Sequence, residues 1–433
     1  MVTVNELRAQ AAIEREAIGN VGVQQHSGPT RQKPKPMAED AFMGVLGEIV
    51  ESIGPHTEAS KEALLIDALA QLGNQIGSGP YSYASGARHG ANEFFVLVGP
   101  TGAGGRKGSS HGHTRRLMEA IDPDWATTRI RGGLSSGEGI VHHVRDAVEK
   151  NGEVTDEGVR DKRLLCYETE LAAVLSVMQR HGSTLSTQLR QSWDSGDLNI
   201  LTKNSPTRAT GAHISMLAHI TPEELKILLP DVQAANGWGN RYQWNWVQRG
   251  NLLPEGGGLP SFGALVPRLH SLLEKAARPH LYERDSDAKA VWAEVYPMLA
   301  PDRAGIAGAL CARGDAHALR LQILYAALDG SGVIRPEHVF AALEVVRYGH
   351  DSVLYIFGDM TGDKTADRIL EALRSEGPKT RSELHLIFNG NMRAQQLQTA
   401  LDLLLEHEYA ECEYREPNEG GIKPVEVWTA TNR

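Results

Sequence analysis

A glycine-rich turn between an apolar run and a helix-compatible segment is the part of the chain best suited to bind a ligand. Residues 94–110 read FFVLVGPTGAGGRKGSS, and we call residues 99–106 the glycine turn. Continuous apolar residues are typical of a buried parallel strand, and glycines let backbone N–H groups turn onto an anion at the N-terminus of the next helix. A lysine and a hydroxyl then serve phosphates and Mg²⁺. The segment predicts a site for a nucleoside triphosphate, ATP, with Mg²⁺ as its metal ion.

The segment departs from the common phosphate-loop pattern GxxxxGK[ST] at two positions. Arg106 stands where a glycine would precede the lysine, and Gly108 separates Lys107 from the serines. We expect Lys107 on the phosphates and either Ser109 or Ser110 on the metal ion. The other predicted phosphate-binding residues are Gly99, Thr101, Gly102, Gly104, Gly105, Arg106 and Gly108. The alternative interpretation is a flexible basic loop, which leaves the apolar strand before it and the amphipathic helix after it unexplained.

ATP hydrolysis also needs carboxylates near the phosphates, and two glutamates follow strand-like segments. Leu164–Glu168 is an apolar run that ends in an acid, as expected of a residue that orients Mg²⁺ or its water shell. Glu138 follows another strand-like segment at the start of a helix, where it can polarise the attacking water. A glutamate in a helix cap behind Ser135 or Ser136 gives the same sequence, so both interpretations of Glu138 stand.

Two further residues have the chemistry to respond to a transferred phosphoryl group. His219 lies near the end of the apolar run 211–220, where it can sense the γ-phosphate, although a lone histidine is also a common structural residue. Arg241 enters the next strand and is the type required for a finger that stabilises charge in a neighbouring subunit's site. Arg313 and Arg320 are competing candidates for that finger.

A polar segment at about 190–210 offers cations and one ring for contact with single-stranded nucleic acid. Aromatic side chains stack on bases, and cations follow the phosphate backbone. The predicted contacts are Arg190, Trp193, Lys203 and Arg208. A surface loop without ligand is the alternative interpretation.

Alternating strand and helix patterns place these residues on an α/β core. After the strand 94–98, further strands are predicted at Thr127–Arg131, Arg163–Glu168, 211–220 and 241–248, with helices at 136–149, 169–181 and 221–229 and a long polar loop after 181. This rhythm predicts a mainly parallel five-stranded sheet.

The rest of the chain divides into segments of different character. We predict a flexible N-terminal segment (1–37), an N-terminal helical region (38–92), an ATPase core (93–260), a helical subdomain (261–360) and a C-terminal domain (364–433). The last segment reads as three helices followed by a two-stranded ribbon, the pattern of a winged helix.

The C-terminal segment carries conflicting signals about its partner. Arg393, with Asn391, Gln395 and Gln396, lies on the predicted recognition helix and has side chains able to read base edges. Residues 365–433 nevertheless hold 12 acids against 8 bases, a net charge of −4. Docking to a protein is therefore at least as well supported as binding to DNA.

Composition limits the remaining choices. The 433 residues are 41% hydrophobic with a net charge of −10, which disfavours a uniformly basic DNA-coating surface, so any nucleic-acid contact is local. No apolar stretch approaches the roughly 18 residues that a membrane span needs, and no signal-peptide pattern is seen. Three widely spaced cysteines support neither a zinc site nor a disulfide framework. We expect a cytoplasmic protein without membrane contact.

Six segments taken together resemble a known family. They are PHTEA (55–59), RHGANEFFVLVG (88–99), RKGSS (106–110), LSSGEGI (134–140), WDSGDLNILTKNSPTRATGAHIS (193–215) and NGWGNR (236–241). In combination they resemble the RecA-like P-loop ATPases of bacterial mobile elements, which are related to hexameric replicative helicases and are often encoded with primases. The resemblance covers about residues 40–360, and the Arg-Lys-Gly-hydroxyl order is a trait of that family.

The resemblance implies roles for individual residues. It implies Lys107 on the β and γ phosphates, Glu168 in the Walker B place where aspartate is commoner, and Glu138 as the catalytic glutamate. His219 would end the fourth strand, and Arg241 would be the finger.

The resemblance also implies an assembly and a pathway. A homo-oligomer, a hexameric ring, would act as a helicase-like translocase on single-stranded DNA in replication of a mobile element, with a primase or replication initiator as partner. Two other classes stay open, which are a nucleotide-gated regulator whose winged helix binds an operator or a partner, and an inactive scaffold.

Overall fold

The computed structural model describes residues 32–201, 207–229, 236–299, 305–358, 360–416 and 424–431. Its α-helices are α1 (Gly44–Ile53), α2 (Lys61–Ile76), α3 (Lys107–Ile121), α4 (Pro123–Thr128), α5 (Gly137–His143), α6 (Leu171–Met178), α7 (Leu185–Asp194), α8 (Pro222–Leu228), α9 (Leu265–Ala276), α10 (Ser286–Val295), α11 (Gly305–Cys311), α12 (Gly314–Asp329), α13 (Pro336–Phe357), α14 (Lys364–Glu376), α15 (Arg381–Leu386) and α16 (Ala394–Glu406). Short 3₁₀ helices span Glu39–Phe42, Gly54–His56, Gly102–Gly104, Gly239–Arg241 and Tyr296–Met298.

The strands are β1 (Pro80–Ala84), β2 (Ala87–Gly90), β3 (Phe94–Val98), β4 (Ile130–Arg131), β5 (Val148–Lys150), β6 (Glu153–Asp156), β7 (Arg163–Glu168), β8 (Leu198–Ile200), β9 (Thr207–Ala209), β10 (His213–Ile220), β11 (Gln243–Trp246), β12 (His280–Leu281), β13 (Lys379–Thr380), β14 (Ala410–Arg415) and β15 (Val425–Ala430). The predicted flexible segment 1–37 lies mostly outside the described residues.

Five parallel strands form the central sheet in the order β11-β3-β10-β7-β4. Val98 at the end of β3 pairs with Ile220 on one side and Trp246 on the other, so three strands end at the same level. All five residues of β3 are buried. The prediction of a mainly parallel five-stranded sheet is confirmed, and the sheet is parallel throughout.

Helices cover both faces of this sheet. Phe95 and Leu97 of β3 pack in one core with residues of α2, α3, α9, α12 and α13. Phe94, Val96 and Val98 face the other way and pack with residues of α5–α8 and α11. Continuous apolar strands are required because both faces are covered.

The crossovers create a crevice between β3 and β10. The connection after β3 runs through α3 on one face to the far edge strand β4, whereas the connection after β10 runs through α8 on the other face to β11. Where neighbouring parallel strands send their connections to opposite faces, a crevice opens at their carboxyl ends and commonly holds the ligand. The glycine turn lies at this point.

Helices predicted on either side of the core are present. The region before the core consists of α1, α2 and the hairpin β1–β2, and the region after it contains helices α9 to α13. Ser60 caps α2 by accepting a hydrogen bond from the Ala63 amide (3.3 Å). None of the described helices combines the length and apolar character that a bilayer span requires.

The polar loop predicted after residue 181 is wrong. Residues 185–194 form α7, and the chain then pairs in the antiparallel hairpin β8–β9. Leu185, Leu189 and Trp193 are buried at intervals of four residues, which is the spacing of one helix face. Polar residues between them masked this pattern in the sequence.

Two other predicted elements are shorter or of another type. The predicted strand Thr127–Arg131 is the end of α4 followed by the two-residue strand β4. Asp122 begins that helix by accepting a hydrogen bond from the Trp125 amide (3.0 Å). The predicted helix 136–149 is the seven-residue α5, and a hairpin, β5–β6, begins before 149.

The C-terminal unit contains α14–α16 and a three-stranded antiparallel sheet in the order β13-β15-β14. Leu401 and Trp428 lie in its own apolar core. Asp363 caps α14, and Thr380 caps α15. The three helices and the ribbon were predicted, and the extra strand arises because Lys379–Thr380 pairs with β15.

Candidate phosphate-binding site

The glycine turn needs its glycines at two close approaches. A Cβ atom at Gly99 would collide with the carbonyl oxygen of Val247, and one at Gly105 would collide with the carbonyl oxygen of Pro100. Gly102 has a positive φ of 63°, a conformation that glycine adopts at little cost. Arg106 also has a positive φ (48°) and directly precedes α3. The turn is therefore tightly folded.

The Lys107 side chain folds back over the turn. Its Nζ donates hydrogen bonds to the carbonyl oxygens of Gly99 (2.5 Å) and Pro100 (3.2 Å). Burial lowers the pKa of Lys107, and the negative charges of Glu224 and Glu223 oppose that shift. The ammonium group of Lys107, the first residue of α3, thus lies against the first two carbonyl oxygens of the turn.

The two serines after Lys107 have different environments. Ser110 is buried, and its Oγ lies 3.2 Å from Asp67 Oδ2 and 3.0 Å from the Lys107 carbonyl oxygen. Ser109 is half-buried on the first turn of α3, and its hydroxyl has no hydrogen-bond partner within the described chain. Ser109 is therefore the serine whose hydroxyl is still free to bind a metal ion.

Asp67 of α2 anchors the N-terminal part of α3 and was missed in the sequence. It is fully buried and accepts hydrogen bonds from Thr114 Oγ1 (2.7 Å) and Gln71 Nε2 (2.5 Å), with His111 Nδ1 at 3.4 Å. Burial opposes its charge, but His111 and these hydrogen bonds hold the pKa of Asp67 below its ordinary value. The only signal was a single acid within the apolar run 64–70.

A second acid missed as a site residue, Glu58, supports the turn from outside. Glu58 Oε2 lies 2.6 Å from Arg106 Nε and 3.7 Å from Arg249 Nε, and its Oε1 accepts a hydrogen bond from the Leu253 amide (3.0 Å). The Leu253 hydrogen bond and both cations lower the pKa of Glu58. Arg106, a predicted phosphate-binding residue, thus pairs with Glu58 in the described chain, and its contact with phosphate stays a prediction.

Glu168 and Glu138 lie on neighbouring segments at the carboxyl edge of the sheet. Glu168 Oε1 accepts a hydrogen bond from the Leu134 amide (2.7 Å), which fastens the loop after β4. Burial raises the pKa of Glu168, and the amides of Leu134 and Gly133 oppose the shift. Glu138 is exposed and accepts a hydrogen bond from Thr184 Oγ1 (3.0 Å).

The helix cap beside Glu138 does not use its carboxylate. Ser136 is the N-cap of α5 and accepts a hydrogen bond from the Gly139 amide (3.1 Å). Glu138 lies one position before Gly139, so it is outside the capping-box position. Its exposed carboxylate therefore remains available to a ligand at this edge.

His219 is buried on the face of the sheet that α3 covers. Its ring meets Tyr167 edge-on (5.4 Å between centroids), and His111 stacks on the same tyrosine at 3.6 Å. Burial lowers the pKa of His219 to about 4; the charge of Asp67 opposes this shift, and the charges of His111 and Lys107 add to it. The imidazole is neutral at pH 7, and its Nε2 has no partner among the described residues.

The buried neutral state of His219 predicts acid sensitivity. The folded pKa (about 4) lies below the unfolded value (about 6.5), so the unfolded chain binds more protons between these values. This contribution to stability is complete above pH 6.5 and is lost as the pH falls to 4. In His219→Phe the free energy of unfolding should therefore fall less steeply between pH 6.5 and pH 4. The part of the loss that disappears should reach about 3 kcal/mol at pH 4, measured by denaturant titration. The exposed His181→Phe serves as control, and equal pH slopes for His219→Phe and the unmutated protein would contradict the assignment.

Arg241 is held within its own subunit. It is 7% exposed, and its Nε and Nη2 donate to the two carboxylate oxygens of Asp194 (3.0 and 2.6 Å), while Nη1 donates to the Gly237 carbonyl. It precedes β11 and so lies at the amino edge of the sheet, opposite the glycine turn. Within the described chain the Arg241 guanidinium is occupied by Asp194, which does not favour the predicted finger role.

The predicted nucleic-acid contacts that the structure describes differ in their exposure. Trp193 is corrected, because it is 1% exposed and the guanidinium of Arg320 covers its ring at 3.8 Å, so no base can stack on it. Arg190 is half-buried and donates to the Asn236 carbonyl oxygen (3.1 Å). Arg208 on β9 is exposed, as is Arg393 before α16 in the C-terminal unit.

Lys203 lies outside the described residues. Within the described ranges, no group of three or more His, Cys, Asp or Glu side chains is placed to hold a metal ion by itself. A Mg²⁺ ion at the turn would need ligands from the nucleotide as well, which is how this ion commonly binds.

No protein-family model matches the sequence, and no curated protein matches it. The fold and the site together define a class, an α/β protein with an all-parallel five-stranded sheet and a glycine-rich turn at the carboxyl end of an interior strand.

Proposed function

We propose that the chain is a RecA-like P-loop ATPase that binds and hydrolyses ATP with Mg²⁺. The observation that supports this best is the Lys107 ammonium, which lies over the glycine turn on the carbonyl oxygens of Gly99 and Pro100. A half-buried lysine at the start of a helix, in a ligand-binding crevice of a parallel sheet, suits a polyanion.

The residues present fit a nucleoside triphosphate. Gly99 and Gly105 leave no room for a Cβ atom, so the backbone of the turn packs closely, and backbone amides at the start of α3 are available to phosphate oxygens. Lys107 would neutralise phosphate charge, and Ser109 would hold the metal ion. ATP bound with Mg²⁺ supplies the phosphoryl group and part of the charge neutralisation for its transfer to water.

Residues on the neighbouring strands would serve hydrolysis. Glu168 ends β7 and is proposed to position the water shell of Mg²⁺, while the exposed carboxylate of Glu138 orients the attacking water. His219 on β10 lies between them and the turn in strand order and would report the state of the γ-phosphate.

We propose further that ATP hydrolysis drives movement along single-stranded DNA, in a homo-oligomer that is a hexameric ring and works with a primase or replication initiator. Support comes from the resemblance of the sequence and from the hairpin β8–β9, which carries exposed Arg208 between the Glu168 strand and the His219 strand. The C-terminal unit would be a winged helix.

A second candidate function is a nucleotide-gated regulator or docking scaffold that uses the C-terminal unit. Large apolar side chains that this unit exposes include Leu386 (67%) and Tyr414 (70%), on a segment of net negative charge. Exposed apolar groups and acids suit a protein partner better than a DNA backbone.

Glu168→Gln should lower the rate of ATP hydrolysis by about 100-fold and leave ATP binding intact. The amide oxygen can still accept the Leu134 hydrogen bond, so the loop stays in place while the negative charge is removed. Phosphate release would be measured with and without single-stranded DNA, and binding by calorimetry. Glu170→Gln, at an exposed acid two residues on, is the matched control.

Two outcomes of this assay are decisive. Undiminished hydrolysis in Glu168→Gln would contradict the assigned role of that carboxylate. For the unmutated protein, stimulation by single-stranded DNA supports the motor, whereas unstimulated hydrolysis with sequence-specific duplex binding supports the regulator.

A further inference from the structure

A small three-stranded sheet, β12-β1-β2, has one face against the protein and one face towards solvent. β1 and β2 form an antiparallel hairpin that contacts α12, and β12 pairs with β1 in parallel on its other side. Pro80 and Ser82 of β1 are buried, whereas Tyr81 is half-buried and Tyr83 is 59% exposed. Because successive residues of a strand point to opposite faces, the two tyrosines share the outer face.

The strand register places an arginine and a leucine beside the tyrosines. Arg88 of β2 pairs with Tyr83, and Leu281 of β12 pairs with Tyr81, and paired residues point to the same face. The Arg88 guanidinium lies over the Tyr81 ring, 4.3 Å from its centroid, and the two tyrosine rings meet edge-on at 5.6 Å. We call Tyr81, Tyr83, Arg88 and Leu281 the tyrosine platform. The solvent face of such a sheet is commonly polar, and grouped exposed apolar side chains are instead typical of an interaction surface.

The charge around the platform suits an anionic partner. The three strands contain no acid, and within two residues of them the chain has two arginines, Arg88 and Arg278, against one acid, Glu283, in a protein of net charge −10. Arg88 donates to the Ser78 carbonyl oxygen (2.5 Å), and neither arginine forms an ion pair among the described residues. Cations without a paired acid remain available to phosphate groups.

An exposed ring beside cations is the combination that binds single-stranded nucleic acid. Bases stack on aromatic rings and on guanidinium planes, and cations contact the phosphate backbone. Tyr83 supplies the exposed ring and Arg88 the guanidinium next to it, whereas Trp193, the ring predicted from the sequence for stacking, is buried. Bases of a duplex are already paired and stacked on one another, so a single strand fits this face better than a duplex.

The platform lies at the opposite end of the core from the glycine turn. β2 ends at Gly90, and β3 begins four residues later and runs to the turn. The platform therefore adjoins the amino edge of the central sheet, and the turn lies at its carboxyl edge. A strand bound at the platform leaves the glycine turn open.

We propose that the tyrosine platform binds single-stranded nucleic acid, with a base stacked on Tyr83 and Arg88 in contact with the phosphate backbone. The inference goes beyond the proposed ATPase, because this binding needs neither ATP nor the glycine turn. The shared chemistry of DNA and RNA strands, a base ring on a charged backbone, is what the platform recognises.

Fluorescence anisotropy with labelled oligo(dT) and oligo(U), on the full-length protein without nucleotide, tests the proposal. Tyr83→Ala should weaken binding by about 10-fold, the effect of losing one stacked base. Arg88→Ala should weaken binding and reduce the slope of log affinity against log salt concentration by about 0.7, the effect of losing one phosphate contact. Both side chains are exposed, so neither change disturbs the core.

Tyr296→Ala is the matched control, because Tyr296 is also exposed (50%) and also has an aromatic neighbour, Trp292, at 5.6 Å. It should leave the affinity unchanged. The oligonucleotide that the unmutated protein binds more tightly identifies the strand as DNA or RNA.

Three results would overturn the proposal. They are absence of binding of either oligonucleotide by the unmutated protein, unchanged affinity in Tyr83→Ala and Arg88→Ala, and an equal loss of affinity in Tyr296→Ala. Loss of self-association in Tyr83→Ala by sedimentation, with oligonucleotide binding unchanged, would assign this face to a second copy of the chain. Because the assay contains no ATP, each of these results leaves the phosphate site to be judged by its own hydrolysis assay.

Discussion

Replacing Lys107 with alanine is expected to lower the rate of ATP hydrolysis by about 100- to 1,000-fold, the usual effect of removing one donor that stabilises transition-state charge. In the described chain the Lys107 ammonium donates to the Gly99 and Pro100 carbonyl oxygens, so the substitution removes one charge and two hydrogen bonds. Phosphate-release kinetics measure the effect. The midpoint of thermal unfolding of the variant should stay within a few degrees of that of the unmutated protein, since two part-buried hydrogen bonds are lost.

Lys364→Ala provides the control for this experiment. Lys364 is likewise the first residue of a helix, α14, but it is exposed in the C-terminal unit. It should retain full hydrolysis. Full turnover in Lys107→Ala would refute the assignment of the turn, and loss of turnover in both variants would show that the effect is not local.

Replacing Arg320 with methionine is expected to destabilise the fold by about 3–5 kcal/mol. Arg320 is 1% exposed and donates to the Asn92 carbonyl oxygen (2.7 Å), to Asn92 Oδ1 (2.8 Å) and to the Trp193 carbonyl oxygen (2.6 Å). Methionine fills much of the volume but leaves these acceptors buried without donors. Denaturant titration of Arg320→Met and of the unmutated protein measures the difference in the free energy of unfolding.

Arg313→Met is the comparison for Arg320. Arg313 also lies over Trp193, at 5.4 Å, but its side chain is 37% exposed and its distance to Asp194 is 3.7 Å. Arg313→Met should lower the free energy of unfolding by less than about 1 kcal/mol. A small effect for Arg320→Met, together with a selective loss of single-stranded DNA binding, would mean that this cluster is a ligand site and not part of the core.

Local pattern was enough to predict much of the fold. Arg163–Glu168 reads as a strand because four apolar or aromatic residues are continuous, and the structure has the same bounds. Phe94–Val98 and the glycines after it identify the turn for the same reason, since every feature needed lies within 17 residues. The strand order and the crevice beside β3 are long-range properties that no local pattern contains.

The supporting acids show where local pattern fails. Asp67 acts on Ser110 and Thr114, which are 43 and 47 residues away, and Glu58 acts on Arg106 and Arg249. Each acid is unremarkable in its own segment. The packing of α2 against α3 gives Asp67 its role, and the approach of the chain before α2 to Arg106 and Arg249 gives Glu58 its role.

The predictions for Trp193 and Arg241 relied on residue type, whereas burial decides the roles of both residues. Trp193 and Arg241 were chosen because a ring can stack on bases and a guanidinium can stabilise phosphate. In the fold, Trp193 lies on the apolar face of α7 with Leu185 and Leu189, and Asp194 pairs with Arg241. The spacing of Leu185, Leu189 and Trp193 is helical but is masked by the polar residues between them, and the pairing of Arg241 with Asp194 is not contained in any local pattern.

The most direct test of the central claim is a crystal structure with Mg²⁺ and a non-hydrolysable ATP analogue. The account predicts triphosphate density within the glycine turn, with Lys107 Nζ moved from the Gly99 and Pro100 carbonyl oxygens onto phosphate oxygens. Density for the analogue elsewhere, with Lys107 still on those two carbonyls, would contradict it.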